Sequence, residues 1–182
     1  VKSALVLVQD PELGADICDF LSARAGRVHF ASTLSQAEEH LRLATVDAAI
    51  LDASFADGDA FEFITLVCRG PRMPQVVIVG DAPSPLVAFR LAQAGVRALL
   101  PPPFAREDLT RVWDQIVHEP PDLRPFVRAS VGRVGLTTMI SLVRNVMLNE
   151  ALAATGGSRR SASGLLGISR QLLQYTLRAG QS

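Results

Sequence analysis

The sequence predicts an α/β domain built on a five-stranded parallel sheet, followed by a small all-helical domain. Three observations carry this. Through residue 118, short apolar runs alternate with segments of helical period. The runs are mostly apolar on both faces, as in strands buried between two layers of helices. A proline-rich break at residues 119–125 then separates an acidic part from a basic part.

The elements follow in order. Residues 4–8 are continuously apolar and are closed by Gln9-Asp10-Pro11. Proline suits the first turn of a helix, where its missing N–H has no intrahelical partner to lose. Leu13, Ile17, Phe20 and Leu21 form that helix's buried stripe, and Gly26 is its expected stop. Residues 28–31 read as the second strand. Ser32 or Thr33 caps the next helix, with Leu34, Ala37 and Leu41 on one face. Residues 48–51 are the third strand, closed by Asp52, and the loop at 54–59 holds an Asp-Gly turn. Phe61, Ile64, Val67 and Cys68 mark the third helix. Residues 75–79 form the fourth strand, which stops at Gly80. The fourth helix runs from 85 to 94 with Val87 and Leu91 inward and Gly95 as its stop. Residues 97–100 are the fifth strand, followed by three prolines, and Leu109, Val112, Trp113, Ile116 and Val117 mark the fifth helix. In sheets of this kind the ligand crevice lies beyond the C-terminal strand ends. Those ends carry Gln9-Asp10, Asp52, Gly80 and Pro101-Pro102.

Residues 1–118 therefore form one domain, 119–124 a linker, and 125–182 a second domain. A short helix is expected over 123–134 and a longer one over 137–155. On the longer helix Ile140, Val143, Met147 and Ala151 share one side, and Leu136, Met139, Val146 and Leu152 widen the stripe. So broad an apolar face on a small domain suits a dimer interface or packing on the preceding domain. Gly156, Gly157 and Ser158 then open a short helix, Leu165 and Leu166 are its apolar end, and Gly167 permits a tight turn. Ile168 plugs the gap between the helices and Ser169 caps a second helix. This is the outline of a helix-turn-helix, whose second helix lies in the DNA major groove.

Charge agrees with that outline. Residues 1–120 carry ten Lys/Arg against sixteen Asp/Glu, whereas residues 121–182 carry eight Arg against Asp122 and Glu150 alone. An acidic body with a compact basic tail has the electrostatic footprint of a nucleic-acid binder; the plainer reading is a solvated basic face. No apolar run is long enough to span a membrane and no signal-peptide pattern appears. The two cysteines, Cys18 and Cys68, sit in apolar helical patterns, which suits a reducing cytoplasm better than a disulfide framework. His29, His40 and His118 are scattered without metal-ligand spacing. No nucleophile–base pair or phosphate loop is visible, so an enzyme is not expected.

Residues 4–118 resemble a response-regulator receiver domain, a flavodoxin-like (βα)5 fold. The resemblance rests on strand–Gln9-Asp10-Pro11–helix, Ala48-Ala49-Ile50-Leu51-Asp52, Asp57-Gly58-Asp59, Val76-Val77-Ile78-Val79, Ala94-Gly95-Val96 and Leu100-Pro101-Pro102-Pro103-Phe104. Residues 123–182 resemble a Fis-type helix-turn-helix domain, through Asn145-Val146-Met147-Leu148-Asn149-Glu150-Ala151-Leu152 and the Gly-Gly-Ser to Leu-Leu-Gly-Ile-Ser-Arg segment. Together they imply a bacterial, cytoplasmic regulator of two-component type that lacks an ATPase domain between its two ends.

The receiver resemblance implies phosphoryl transfer to an aspartate, with an acidic pair holding Mg²⁺, a Ser/Thr hydroxyl and a Lys on the phosphate. Asp52 stands at the phosphoacceptor position, and Ser54 offers its backbone carbonyl to a metal. The acidic pair aligns with Val8-Gln9 or with Gln9-Asp10, so at most one acid remains. The hydroxyl position is Gly80, the Lys position of a Pro-Lys-Pro-Phe pattern is Pro102, and the switch aromatic is Leu99. The receiver is thus expected to be degenerate and poorly switched or not switched by phosphorylation; the plainer reading of Asp52 is a structural residue capping the loop after its strand. No cofactor is expected beyond weak Mg²⁺ at Asp10 and Asp52.

In the second domain, Arg170 matches the Arg of the family's Ile-Ser/Asn-Arg pattern, from which it can reach guanine O6 and N7. Ser158, Arg159 and Arg160 are expected at phosphates, Ser169, Gln171 and Gln174 at base edges or phosphates, and Arg178 toward the backbone. Leu165, Leu166, Ile168, Leu173 and Leu177 are core by spacing. The expected protein is a homodimeric transcriptional regulator on pseudo-palindromic double-stranded DNA, partnered by a histidine kinase or another regulatory protein. The alternative is an interaction adaptor whose receiver-like part docks a partner while the tail only dimerises.

Overall fold

The protein is described here by a computed structural model covering residues 1–67, 73–81 and 83–179. It divides into two compact units, Val1–Pro121 and Asp122–Ser182. Cys68 lies outside the described residues.

The first unit alternates strand and helix: β1 (Ser3–Leu7), α1 (Pro11–Ser22), β2 (Arg27–Ala31), α2 (Leu34–Leu43), β3 (Ala48–Asp52), β4 (Ser54–Phe55), β5 (Gly58–Asp59), α3 (Ala60–Val67), β6 (Gln75–Val79), α4 (Pro85–Gln93), β7 (Val96–Leu100) and α5 (Arg106–His118). Five strands form one parallel sheet in the order β2-β1-β3-β6-β7. β4 and β5 form a separate two-stranded antiparallel ribbon. Two buried clusters cover the two faces of the sheet. One gathers Leu5, Leu7, Leu51, Phe63 and Ile78, and the other gathers Val6, Ile50, Phe20, Val77 and Trp113. Alternate residues of β1 and β3 feed opposite clusters because successive strand side chains point to opposite faces. The expected five-stranded parallel α/β fold is the one observed.

Local chemistry sets the helix ends. Asp10 caps α1 by accepting the Glu12 N–H at 2.9 Å, and Pro11 occupies the first turn. Thr33, not Ser32, caps α2. Asp57 in the β4–β5 turn adds a second clamp on α2, accepting from the N–H groups of Leu34 and Ser35 and from the Ser35 hydroxyl. Gly95 ends α4 at φ +100°. The expected stop at Gly26 is corrected: α1 ends at Ser22, with Ala23 as its cap. Gly26 instead opens β2, where a Cβ would lie 2.9 Å from the Lys2 carbonyl. Glycine is needed there for close backbone approach.

The second unit contains α6 (Arg124–Ser130), α7 (Leu136–Ala154), α8 (Arg159–Leu165) and α9 (Arg170–Ala179). Its buried centre is Leu148 and Ala151 from α7, Ala162 from α8 and Leu173 from α9, flanked by Leu152, Leu166, Ile168 and Leu177. Leu165 is corrected from core to surface, being 52% exposed. On a short helix only one of the adjacent Leu165 and Leu166 can face inward, and Leu166 takes that place. The broad stripe of α7 is likewise divided. Its C-terminal part packs on α8 and α9, while Ile140, Val143, Val146 and Met147 remain exposed. Among the described residues, no helix is long and apolar enough to cross a membrane.

Candidate functional site: a strand-end crevice and a basic helix pair

At the C-terminal ends of β1, β3 and β6 lies a cavity of about 720 Å³. Gln9, Asp10, Asp52, Ser54, Gly80 and Pro102 all line it. The fold thus brings together most of the residues read as a phosphorylation site. Val8 is fully buried in the core, so Gln9 and Asp10 are the pair that faces the crevice. Leu99 does not line this cavity. It faces a smaller one of about 220 Å³ with Ile78, Leu91 and Val96.

Gln9 is the organising residue. Its backbone N–H donates to Asp52 Oδ2 at 2.8 Å, and its side-chain Nε2 donates to the Ser54 carbonyl at 2.8 Å. The other Asp52 oxygen faces Gly80, whose positive φ of +92° and missing side chain accommodate it. A Cβ on Gly80 would come within 3.0 Å of Asp52 Oδ1. Burial pushes the Asp52 carboxyl above its ordinary range, and the charges of Asp10 and Asp81 push the same way against the Gln9 hydrogen bond. Arg106 also lines the cavity, but its guanidinium is paired with Asp19 at 3.0 Å. Asp81 and Arg106 were not expected from the sequence, because neither belongs to the motif positions.

A receiver fold implies Mg²⁺, which needs near-octahedral oxygen ligands at about 2.0–2.1 Å. The donor set does not fit it. The Ser54 carbonyl and one Asp52 oxygen are taken by N–H groups of Gln9, and Asp10 Oδ1 caps α1. A hydrogen-bond donor stands where a cation would require a lone pair.

The second candidate surface belongs to the helix pair. Gly156 and Gly157 turn the chain at φ +58° and +79°, and Ser158 caps α8 by accepting the Ser161 N–H. Gly167, at φ +65°, carries the turn after α8. Ser169 accepts the Leu172 N–H at 3.1 Å and so caps α9. Leu173 and Leu177 hold one side of α9 inward, which leaves Arg170, Gln171, Tyr175 and Arg178 exposed. Arg159, Gln174 and Arg178 line one small cleft of about 130 Å³, although the two arginines are nineteen positions apart in sequence. Arg160 is exposed as well. Tyr175, 71% exposed, was not singled out from the sequence. With Leu172, Ile140 and Met147 it lines an apolar groove of about 740 Å³.

No family model matches the chain, and no curated protein matches it. Solved structures do. The chain is similar to the non-phosphorylated HemR receiver domain from Leptospira biflexa, at 20% identity and a TM-score of 0.60, over 67% of this chain and 98% of that one. It is similar to a two-component response regulator from Clostridium difficile, at 16% identity and a TM-score of 0.58, over 65% and 98%. The Vibrio cholerae chemotaxis protein CheY4 matches at 17% identity and a TM-score of 0.57, over 64% and 98%. The chain therefore contains a receiver-domain fold, with the five-stranded parallel sheet of that class.

Proposed function

We propose that this protein is a DNA-binding transcriptional regulator of two-component type, whose receiver-fold unit is not switched by phosphorylation in the usual way. The observation that carries DNA binding is the cleft that Arg159 of α8 shares with Gln174 and Arg178 of α9, a helix that also exposes Arg170 and Gln171. Two arginines lining one cleft, at the start of one helix and the end of the next, suit a phosphate held there. The unit that holds them carries eight arginines and two acids. In this reading α8 and α9 form the helix-turn-helix, α9 enters the major groove, and Arg170 reads a base. The exposed apolar stripe of α7 and the groove beside it support a homodimer on a pseudo-palindromic site.

Loss of phosphorylation control is supported by the crevice. Asp52 has an amide donor beside it in place of a metal, a glycine where a hydroxyl would be drawn in, and Pro102 where a Lys would meet phosphate. A kinase or another regulatory protein remains the class of partner that a receiver fold serves. The adaptor reading draws on Leu86 and Phe89, exposed together on α4.

A gel-shift assay on random genomic fragments at two salt concentrations tests the proposal. Saturable binding is expected, with Arg159→Ala and Arg178→Ala each lowering the salt slope by about one. Absence of binding at low salt would contradict DNA recognition and favour the adaptor. Incubation with a small phosphodonor and intact-mass measurement tests the second part. Stoichiometric, Mg²⁺-dependent labelling lost in Asp52→Asn would refute it.

A further inference from the structure

We propose that Gln9 is a built-in replacement for the divalent cation of the strand-end crevice, bridging Asp52 and Ser54 through its two N–H donors so that the crevice assembles without metal. The inference rests on the crevice geometry and is independent of DNA binding.

Three strand termini meet at this point: the residues after β1, the last residue of β3, and the first residue of β4. Asp52 and the Ser54 carbonyl both present electron-rich oxygens there, and oxygens so placed repel unless something electropositive lies between them. Gln9 supplies it twice, at 2.8 Å from each. An amide carries no net charge, so it holds the oxygens without neutralising the carboxylate. Spacing makes the substitution of function reversible in principle. With metal–oxygen bonds of about 2.0–2.1 Å, adjacent ligands on octahedral Mg²⁺ lie about 2.8–3.0 Å apart. The Gln9 Nε2 to Ser54 oxygen distance is 2.8 Å. Replacing the amide by a carboxylate of equal length therefore places two oxygens at nearly the separation that Mg²⁺ bridges. Without the ion, the same two oxygens face each other with no proton between them.

The test is thermal unfolding of the full chain with EDTA and across a millimolar Mg²⁺ titration, for wild type, Gln9→Glu and Gln9→Ala. Wild type is expected to show no saturable change in Tm. Gln9→Glu is expected to melt about 2–4 °C lower in EDTA and to recover with Mg²⁺ in a saturable manner. Gln9→Ala is expected to melt lower and to ignore Mg²⁺. Calorimetric titration of folded protein at 25 °C provides a second reading, with heat of Mg²⁺ binding expected for Gln9→Glu alone. Saturable Mg²⁺ stabilisation of wild type, lost in Asp52→Asn, would overturn the proposal whatever the variants do. So would a Gln9→Glu protein that melts like wild type and shows no Mg²⁺ dependence.

Discussion

Leu173→Ala is expected to unfold the second unit and with it any DNA recognition. Leu173 is fully buried, packed with Leu148, Ala151 and Ala162 from the two preceding helices. Removing three buried carbons costs the transfer free energy of those atoms plus the cavity left behind, about 2–5 kcal/mol for Leu→Ala. The unit around it spans only Asp122–Ser182. A single core in a domain that small rarely supplies more than about 3–5 kcal/mol. The loss is thus comparable to everything the unit has. Leu165→Ala is the control, since the same deletion at a residue 52% exposed is expected to stay within about 0.5 kcal/mol. Helicity followed by circular dichroism during urea unfolding measures both, and Trp113, the single tryptophan, reports separately on the first unit. If Leu173→Ala and Leu165→Ala destabilise equally, the assignment of inward and outward leucines is wrong.

Other outcomes follow from the same contacts. Arg170→Ala is expected to weaken specific DNA binding by about 1–3 kcal/mol and to relax preference at one base position; uniform weakening on every sequence would make it a phosphate contact instead. Asp57→Ala should lower Tm at neutral pH, because three hydrogen bonds hold that carboxylate to the start of α2 and depress its pKa. A depressed carboxylate stabilises above its unfolded value, near 3.9, and the contribution fades as pH falls through the lower folded value. The melting difference should therefore shrink at acid pH, and a constant difference would contradict the assignment. Asp52→Asn should raise Tm at neutral pH, since its carboxyl is raised by burial and by Asp10 and Asp81. That sign is opposite to Asp57: ionisation above the unfolded pKa costs stability, so the gain should vanish at low pH.

The parts of the fold legible in the sequence were those set by one-dimensional pattern. Residues 4–8 and 48–51 are apolar throughout because both faces of a central parallel strand are covered. Asp10-Pro11, Gly95, Gly167 and Ser169 mark ends by local chemistry, and each performs that task. Legibility failed where a residue's meaning depends on a distant neighbour. Gly26 reads as a helix stop, but its reason is the Lys2 carbonyl pressed against it. Leu165 and Leu173 have the same composition and similar periodicity, and only packing distinguishes them. At the site, the strand-end position of Asp52 and the missing side chain of Gly80 were readable. What Gln9 does was not, because an amide's partner is set by geometry between three strand ends. That Arg159 and Arg178 share one cleft likewise appears only once the turn at Gly167 has packed α9 against α8.

The central claim, that the basic helix pair reads DNA, is tested most directly by selecting bound sequences from a random double-stranded pool with the full-length protein. The account expects enrichment of one short motif, repeated with two-fold symmetry about one helical turn apart, and loss of that enrichment with Arg170→Ala. A pool that emerges without a motif, or one equally enriched by wild type and Arg170→Ala, would contradict it.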